Sequence, residues 1–470
     1  MNTAPILDFE LFKQEKLWEH YSQMVHSALD KALAGLKDYF LSKNHMTLKE
    51  MSDLFQGKKQ EIASSMLQEF IQGKYASLLE QTHADCSQCG KTIRKQNDSS
   101  RIVETLLGAV EISRPYFYCR NCKLGFSPLD EELEFSPRRK QDDLQQIALE
   151  FVAEMPFERA SELFEKSTGV PFSDHRMHDL VSSFVNETTA EDVIPSAEEI
   201  ARRIDEATTS EKRRPVLVVT MDGAHAKIRP PGGRKDKRGP GGYKEVKGFR
   251  IYMPAQGRII QIASWHQHTD ETEQITEALK LAASRIPQER VRIGLIGDGA
   301  HWLWNSMTAA FPKGRQILDY YHCSEYVHKV GELQFADDPN KALHWVEATM
   351  ARLFSKDGIR HVIAGLKRMQ PKNEAAKEQI QKTITYLTNN KGRTGYKGAK
   401  IGGYPIGSGG IESANKFICH TRLKRSGAWW LKTNCNNMLK LRCSLVNGTF
   451  DNLFQKCATR EKAKSLVRNA

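Results

Sequence analysis

Asp222, Asp298 and Glu412 are the residues whose types and settings could do chemistry. Asp222 closes the apolar run Pro215-Val-Leu-Val-Val-Thr-Met221, Asp298 closes Val291-Arg-Ile-Gly-Leu-Ile-Gly297, and Glu412 lies within Gly407-Ser-Gly-Gly-Ile-Glu-Ser413. Three carboxylates are hard oxygen ligands, the set that Mg²⁺ (or Mn²⁺) takes while keeping waters for substrate phosphates. Two such ions about 4 Å apart can activate a water and stabilise a leaving oxygen, so a triad of this kind suits phosphoryl transfer with no covalent protein intermediate. His225, His301 and His322 stand beside these acids in sequence and could orient water or phosphate. The bland alternative is that each aspartate is a turn former and each histidine simply hydrogen-bonded.

Positioning such a triad requires a particular set of elements. The two aspartate-ending runs read as buried strands, and acids at the carboxyl ends of strands face the crevice where open α/β sheets work. Between them the pattern predicts strands over Gly248–Met253 and Arg258–Trp265, then an amphipathic helix with Ile275, Leu279 and Ala282 on one face and Arg285-Ile-Pro287 as its stop. Three strands, a helix and a strand is the RNase H-like order.

Met221-Asp-Gly-Ala-His225, Gly297-Asp-Gly-Ala-His-Trp302, Asp319-Tyr-Tyr-His322 and Gly407-Ser-Gly-Gly-Ile-Glu-Ser413 resemble the core motifs of DDE transposases of bacterial insertion sequences, most closely the ISKra type. By motif order the resemblance covers residues 85 to 445. It implies Asp222, Asp298 and Glu412 as a catalytic, Mg²⁺-binding triad. It further implies strand cleavage at element ends and transfer of the 3′-OH into target DNA. Should Glu412 prove dispensable, Glu325 is the next acid to consider.

Charge is consistent with a nucleic-acid partner. The net charge is +12, but Lys227–Arg250 holds nine Lys/Arg against Asp236 and Glu245, and Lys416–Arg442 holds seven with no acid, a local +7 in each case. The rest of the chain is near neutral, so positive charge is concentrated beside Asp222 and Glu412, where a phosphate backbone would lie. Lys235, Lys237, Arg238, Lys244, Arg422, Lys424 and Arg425 are the expected DNA contacts, with Trp429 and Trp430 as candidates for stacking or for core packing. The Gly232–Gly242 stretch, rich in Gly, Pro and Lys/Arg, reads as a basic loop between two strands.

Cys86-Ser-Gln-Cys89 and Cys119-Arg-Asn-Cys122 are two CxxC knuckles with 29 residues between them. They suit one tetrahedral Zn²⁺, with a hairpin of Ile102–Leu107 and Val110–Tyr118 about Gly108-Ala109 as its scaffold. Cys323, Cys419, Cys435, Cys443 and Cys457 lack such spacing and read as buried thiols.

The expected fold is therefore multidomain α+β: an RNase H-like α/β core with an all-α insertion, preceded by a zinc ribbon and helical DNA-binding regions. The boundaries read as a helical region 1–82, a ribbon 83–135, and a helical segment 136–195 holding a helix-turn-helix pattern at Phe157–Thr168 and from Ser173 onward. A first core part 196–332, an α-helical insertion 333–399, a second core part 400–447 and a basic C-terminal tail 448–470 follow. No apolar run approaches a membrane span and the N-terminus lacks a basic, then apolar, leader, so a cytoplasmic, nucleoid-associated protein is the expectation. The expected partners are double-stranded DNA, at element ends and target, and further copies of the chain. Three other readings remain in play. One is an RNase H-like nuclease or resolvase, and another a catalytically inactive DNA-binding derivative. The third is a single-strand enzyme using His266-Gln-His268 with Tyr320-Tyr321, against which Gln267 stands where an apolar residue is needed.

Overall fold

The computed structural model describes residues 9–42, 45–208, 213–230, 241–255 and 257–468, which divide into two units, residues 1–184 with 454–470 and residues 185–453. The protein is of mixed α and β content.

In the first unit, helix Phe9–Ser42 neighbours helix Leu48–Lys74, with Tyr21 edge-on to Phe70 at 5.4 Å. Thr47 and Glu50 start the second helix as a capping box: Glu50 N–H donates to Thr47 Oγ1 (3.2 Å) and Thr47 N–H to Glu50 Oε2 (2.8 Å). A short antiparallel pair follows, β1 (His83–Asp85) and β2 (Thr92–Arg94). Then comes a three-stranded antiparallel sheet of β3 (Asn97–Thr105), β4 (Gly108–Cys119) and β5 (Leu124–Phe126). The hairpin expected here forms, but its turn is Leu106-Leu107 rather than Gly108-Ala109. Thr105 Oγ1 accepts from Leu107 N–H (3.1 Å) and Asp143 from Leu106 N–H (2.8 Å), so side-chain oxygens satisfy a turn that apolar alternation alone does not reveal. Val110 and Ile112 alternate inward onto Ile71, Val103 and Leu129.

Helices Asp142–Glu154, Phe157–Thr168 and Asp174–Val185 bury one stripe each, among them Leu149 and Val152, Phe164, and Met177 and Leu180. The tail expected over 448–470 is instead mostly helix, Phe450–Arg468. Phe454 stacks on Phe184 at 4.9 Å and Glu461 pairs with Arg138 at 2.9 Å, so its net basic composition conceals a packed face.

The second unit is built on five strands: β6 (Val216–Ile228), β7 (Gly242–Ala255), β8 (Arg258–Gln267), β9 (Arg292–Gly297) and β10 (Arg315–Leu318), in spatial order β10-β9-β6-β7-β8. β6, β7 and β8 are antiparallel neighbours, whereas β6, β9 and β10 run parallel. Helix Thr272–Ser284 links β8 to β9, burying Ile275, Leu279 and Ala282 and ending at Arg285, and helix His301–Ala310 links β9 to β10. The edge strand β8 is covered: the buried Asn447 amide both accepts from Ser264 N–H (2.8 Å) and donates to Ser264 C=O (2.9 Å).

Asp222 does not end its strand. Pairing of β6 with β9 stops at Thr220, yet β6 runs on to Ile228 against β7, so the Asp-Gly that reads as a turn is extended backbone where the parallel neighbour gives out. From Asp319 to Glu412 the chain is helical, with helices Tyr320–Gln334, Pro339–Arg352, Gly358–Arg368 and Glu374–Asn389.

Candidate active site

Parallel register sets the acids in a row. β6 residue 216 pairs with β9 residue 292 and 220 with 296, so Asp222 and Asp298 stand at one level beyond adjacent strands. On the next strand Leu318 pairs with Gly297, which puts Asp319 beside Asp298, and Asp319 N–H donates to Gly297 C=O at 2.8 Å. Asp298 and Asp319 therefore follow the ends of β9 and β10 at the level where Asp222 lies within β6, just past the end of its parallel pairing, with neighbouring strands about 4.8 Å apart. Asp319 enters the sequence reading only through the Asp319-Tyr-Tyr-His322 motif, because the apolar stretch before it, Ile317-Leu318, is too short to mark a strand end.

Glu412 reaches this edge on a turn fastened from two sides. Asp319, fully buried, accepts the N–H groups of Tyr321 (2.6 Å) and His322 (3.0 Å) as a helix cap and also the N–H of Ser408 in the glycine-rich turn. Ser408 Oγ donates to Glu412 Oε1 at 3.0 Å. Buried Arg250, on β7, donates Nη1–H to Gly410 C=O (2.9 Å) and Nε–H to Gln261 Oε1 (2.9 Å), its guanidinium lying between the Tyr252 and Phe417 rings. Gly410 admits no side chain: a Cβ there would lie 2.3 Å from Tyr252 Cε1. Beyond Glu412 the helix widens into a π-helical segment, Asn415–His420, a distortion frequent at functional sites. The buried Arg442 guanidinium satisfies the Phe417 (3.1 Å) and Ile418 (2.9 Å) carbonyls of that segment.

The electrostatics fit an unshared cluster of acids. Burial pushes the Asp222 carboxyl up to about 6, with Asp298 and Glu412 raising it further and Gly223 N–H and His322 opposing. Such mutual repulsion is what a bound dication relieves, and an all-carboxylate donor set suits Mg²⁺. One donor atom each from Asp319, His322 and Glu412 lies within 4.8 Å of the others, a geometry also compatible with a metal ion. Asp298 Oδ1 accepts from Ala300 N–H (2.9 Å), and Tyr386 Oη–H donates to Asp298 C=O (2.7 Å) from the helical insertion. His225 and His301 are exposed, and His322 is half-buried with Nδ1 3.5 Å from Glu325. Glu325 lies one turn further along the same helix as His322, whereas it is Glu412 whose oxygen lies within 4.8 Å of the Asp319 and His322 donor atoms and accepts from Ser408.

The paired-histidine alternative finds no geometry here. His266 Nε2 is engaged by Asn415 and His268 Nδ1 by Glu245 C=O (2.8 Å), and both rings are buried.

The two basic segments are stitched together. Trp430 N–H donates to Lys227 C=O (2.9 Å) and Arg229 N–H to Trp430 C=O (2.7 Å), and Lys227 Nζ sits over the Tyr243 and Trp429 rings. Lys244, Lys424, Arg425 and Trp429 are exposed. Arg422 and Trp430 are not: they are 3% and 8% exposed, Arg422 lies over the Trp430 ring at 5.0 Å, and Trp430 Nε1–H donates to Leu423 C=O. A sequence run of basic and aromatic residues cannot distinguish these inward positions from the outward ones. Lys235, Lys237 and Arg238 lie outside the described residues.

In the first unit Cys86, Cys89, Cys119 and Cys122 converge, with sulfurs within 4.8 Å of one another and Cys89 Sγ 3.7 Å from Cys119 Sγ. A tetrahedral ion with Zn–S of about 2.3 Å needs S–S edges of about 3.8 Å, so the donor set is compatible with zinc. The N–H of Cys122 and the neighbouring thiols draw Cys119 down to about 7, while Cys89 and burial push Cys122 up to about 12, the behaviour of thiols that share protons in one cluster. The other five cysteines are buried.

The fold and site thus define a protein of mixed α and β structure with a group of acidic residues along a five-stranded sheet. The chain belongs to Uncharacterised protein family (UPF0236), whose model matches residues 41–455. No curated protein sequence matches it. A solved structure described as the Drosophila P element transposase strand transfer complex aligns with 67% of this chain and 79% of that chain at 10% identity, with a TM-score of 0.23. No helix among the described residues is long and apolar enough to cross a membrane.

Proposed function

We propose that this protein is the DNA transposase of an insertion sequence of the DDE class, most like the ISKra type. It would cleave DNA at the element ends and join the freed 3′-OH to target DNA. The observation that supports this reading is that Asp298 and Glu412 both raise the Asp222 carboxyl, on a sheet ordered β10-β9-β6-β7-β8 that we read as an RNase H-like core. Asp222, Asp298 and Glu412 would hold Mg²⁺ or Mn²⁺, with Asp319 fixing the turn that carries Glu412. Bound there, the metal pair supplies activation of the attacking oxygen and stabilisation of the leaving one. Lys244, Lys424 and Arg425 neutralise backbone phosphates, and Trp429 offers an exposed ring for stacking. The Cys₄ cluster serves as the structural zinc site of a ribbon over residues 83–135. Helices Phe157–Thr168 and Asp174–Val185, a helix-turn-helix pattern, present Arg176 and His175 to solvent for DNA contact. Self-association belongs to the same proposal, since Trp18, Phe40, Leu48 and Phe55 on the first two helices are more than half exposed.

The test incubates the purified protein with Mg²⁺ and DNA carrying the sequences that flank its own gene. End cleavage followed by strand transfer is expected, and Asp222→Asn, Asp298→Asn and Glu412→Gln should each abolish both while DNA binding persists. Cutting of branched DNA without strand transfer would overturn the reading in favour of a resolvase. DNA binding with no cutting of any substrate would overturn it in favour of a binding derivative.

A further inference from the structure

Asp222, Gly248 and His266 form one row across three strands. The register pairs Asp222 of β6 with Gly248 of β7, and Gly248 with His266 of β8. The middle position has to be bare for the ends of the row to communicate, since a Cβ on Gly248 would lie 2.3 Å from His266 Cδ2 and 2.4 Å from its Nε2. The His266 ring instead lies over this gap, and its Nε2 is 2.9 Å from Oδ1 of Asn415, the first residue of the π-helical segment. Asn415 Nδ2–H in turn donates to Asp222 Oδ2 at 2.8 Å. Both linking side chains are almost sealed from solvent, His266 at 1% and Asn415 at 2% exposure.

Donor counting fixes every orientation in this chain. An ionised carboxylate only accepts, so the amide must turn its NH₂ to Asp222 and its oxygen to His266. Nε2 of His266 must then carry the proton, which leaves Nδ1 bare, and Nδ1 meets no hydrogen-bond partner among the described residues. Burial holds His266 neutral, drawing its pKa down to about 4, with Arg250 and His420 adding to the effect and Asn415 opposing. The other carboxylate oxygen, Asp222 Oδ1, accepts from Gly223 N–H at 2.7 Å. Each oxygen of Asp222 is thus held by one donor and keeps lone-pair capacity for the crevice.

We infer that Asn415 and His266 are a positioning pair that fixes the rotamer of Asp222 and aims its free lone pairs at the metal-binding crevice. The inference rests on the proposed role of Asp222 as a metal-holding acid. Groups that orient a ligand in this way typically affect metal affinity or rate by 10- to 100-fold when removed.

The experiment uses the full-length chain and two readouts, Mn²⁺ affinity measured with the ion alone and single-turnover cleavage of DNA ends. Asn415→Ala and His266→Leu should each weaken Mn²⁺ binding and slow cleavage by on the order of 10- to 100-fold in folded protein, with KM for DNA close to wild type. His266→Gln, whose amide can still donate to Asn415, should recover most of the loss seen in His266→Leu. Gly248→Ala should match Asn415→Ala, and the double variant should be no worse than either, because one linkage is broken once. Wild-type Mn²⁺ affinity and rate in Asn415→Ala would overturn the inference, as would equal losses in His266→Gln and His266→Leu. If Asn415→Ala does not fold, the two His266 variants decide the question alone. The underlying reading fails separately: Asp222→Asn that still binds Mn²⁺ and cleaves would remove Asp222 from the site, whereas loss in Asp222→Asn with no loss in Asn415→Ala rejects only the positioning pair.

Discussion

Asp222 is the residue on which most of the site's energetics converge, and its cost to the fold is measurable without any substrate. Its carboxyl is raised from 3.8 to about 6, chiefly by burial and then by Asp298 and Glu412. Because the folded pKa lies above the unfolded one, the protonated acid favours the folded state below about pH 4, and that advantage is lost as pH rises through about 6. Asp222→Asn in metal-free protein should therefore melt at a higher temperature than wild type at pH 7 and at nearly the same temperature at pH 4. An equal difference at both pH values would refute this account of the site. Residues of this kind are legible in a sequence when they interrupt a strong local pattern, as Asp222 and Asp298 do by following long apolar runs, and Glu412 by its glycine-rich turn. The contacts of Asp319, Asn415 and His266 are not legible there, even though Asp319 and His266 fall within quoted motifs, because they arise from register and from pairings between residues 89 to 193 positions apart.

At the level of elements, one of the two fastenings of the turn Gly407–Ser413 is a buried cation, Arg250. Replacing Arg250 with Met keeps the apolar stem against Tyr252 and Phe417 but leaves Gly410 C=O and Gln261 without their charge-assisted donor. The expected loss is about 2 kcal/mol of unfolding free energy by urea denaturation, accompanied by a drop in cleavage as Glu412 loses its anchor. An unchanged midpoint would show that the turn is held elsewhere. In the other unit, Cys86→Ser or Cys119→Ser should release zinc and expose the amides of residues 83–135 to rapid hydrogen exchange, because ion binding there supplies folding free energy. Metal analysis finding well under one zinc per wild-type chain would remove the premise. Strand and helix identities were readable from periodicity, as with Ile275, Leu279 and Ala282, but lengths were not. β6 continues six residues past Asp222 since its antiparallel partner outlasts its parallel one, a fact written in the pairing and absent from either strand alone.

For the whole molecule, the net charge of +12 matters through where it is exposed. Lys244, Lys424 and Arg425 face solvent next to the junction of β6 with the Trp429-Trp430 segment, whereas Arg422 is spent inside on Trp430. Changing those three exposed cations to Gln should weaken DNA binding and reduce the slope of log K against log salt by up to about 3, while Arg422→Gln should act mainly on stability. An identical salt slope in the triple variant would place the phosphate backbone on another face. The bond from Asp319 to Ser408 has a further consequence for shortened chains. It joins residues 89 positions apart, across the helical insertion. Under the proposed chemistry, a chain that stops short of the Gly407–Ser413 turn would carry Asp222, Asp298 and Asp319 but lack Glu412, the remaining acid of the triad.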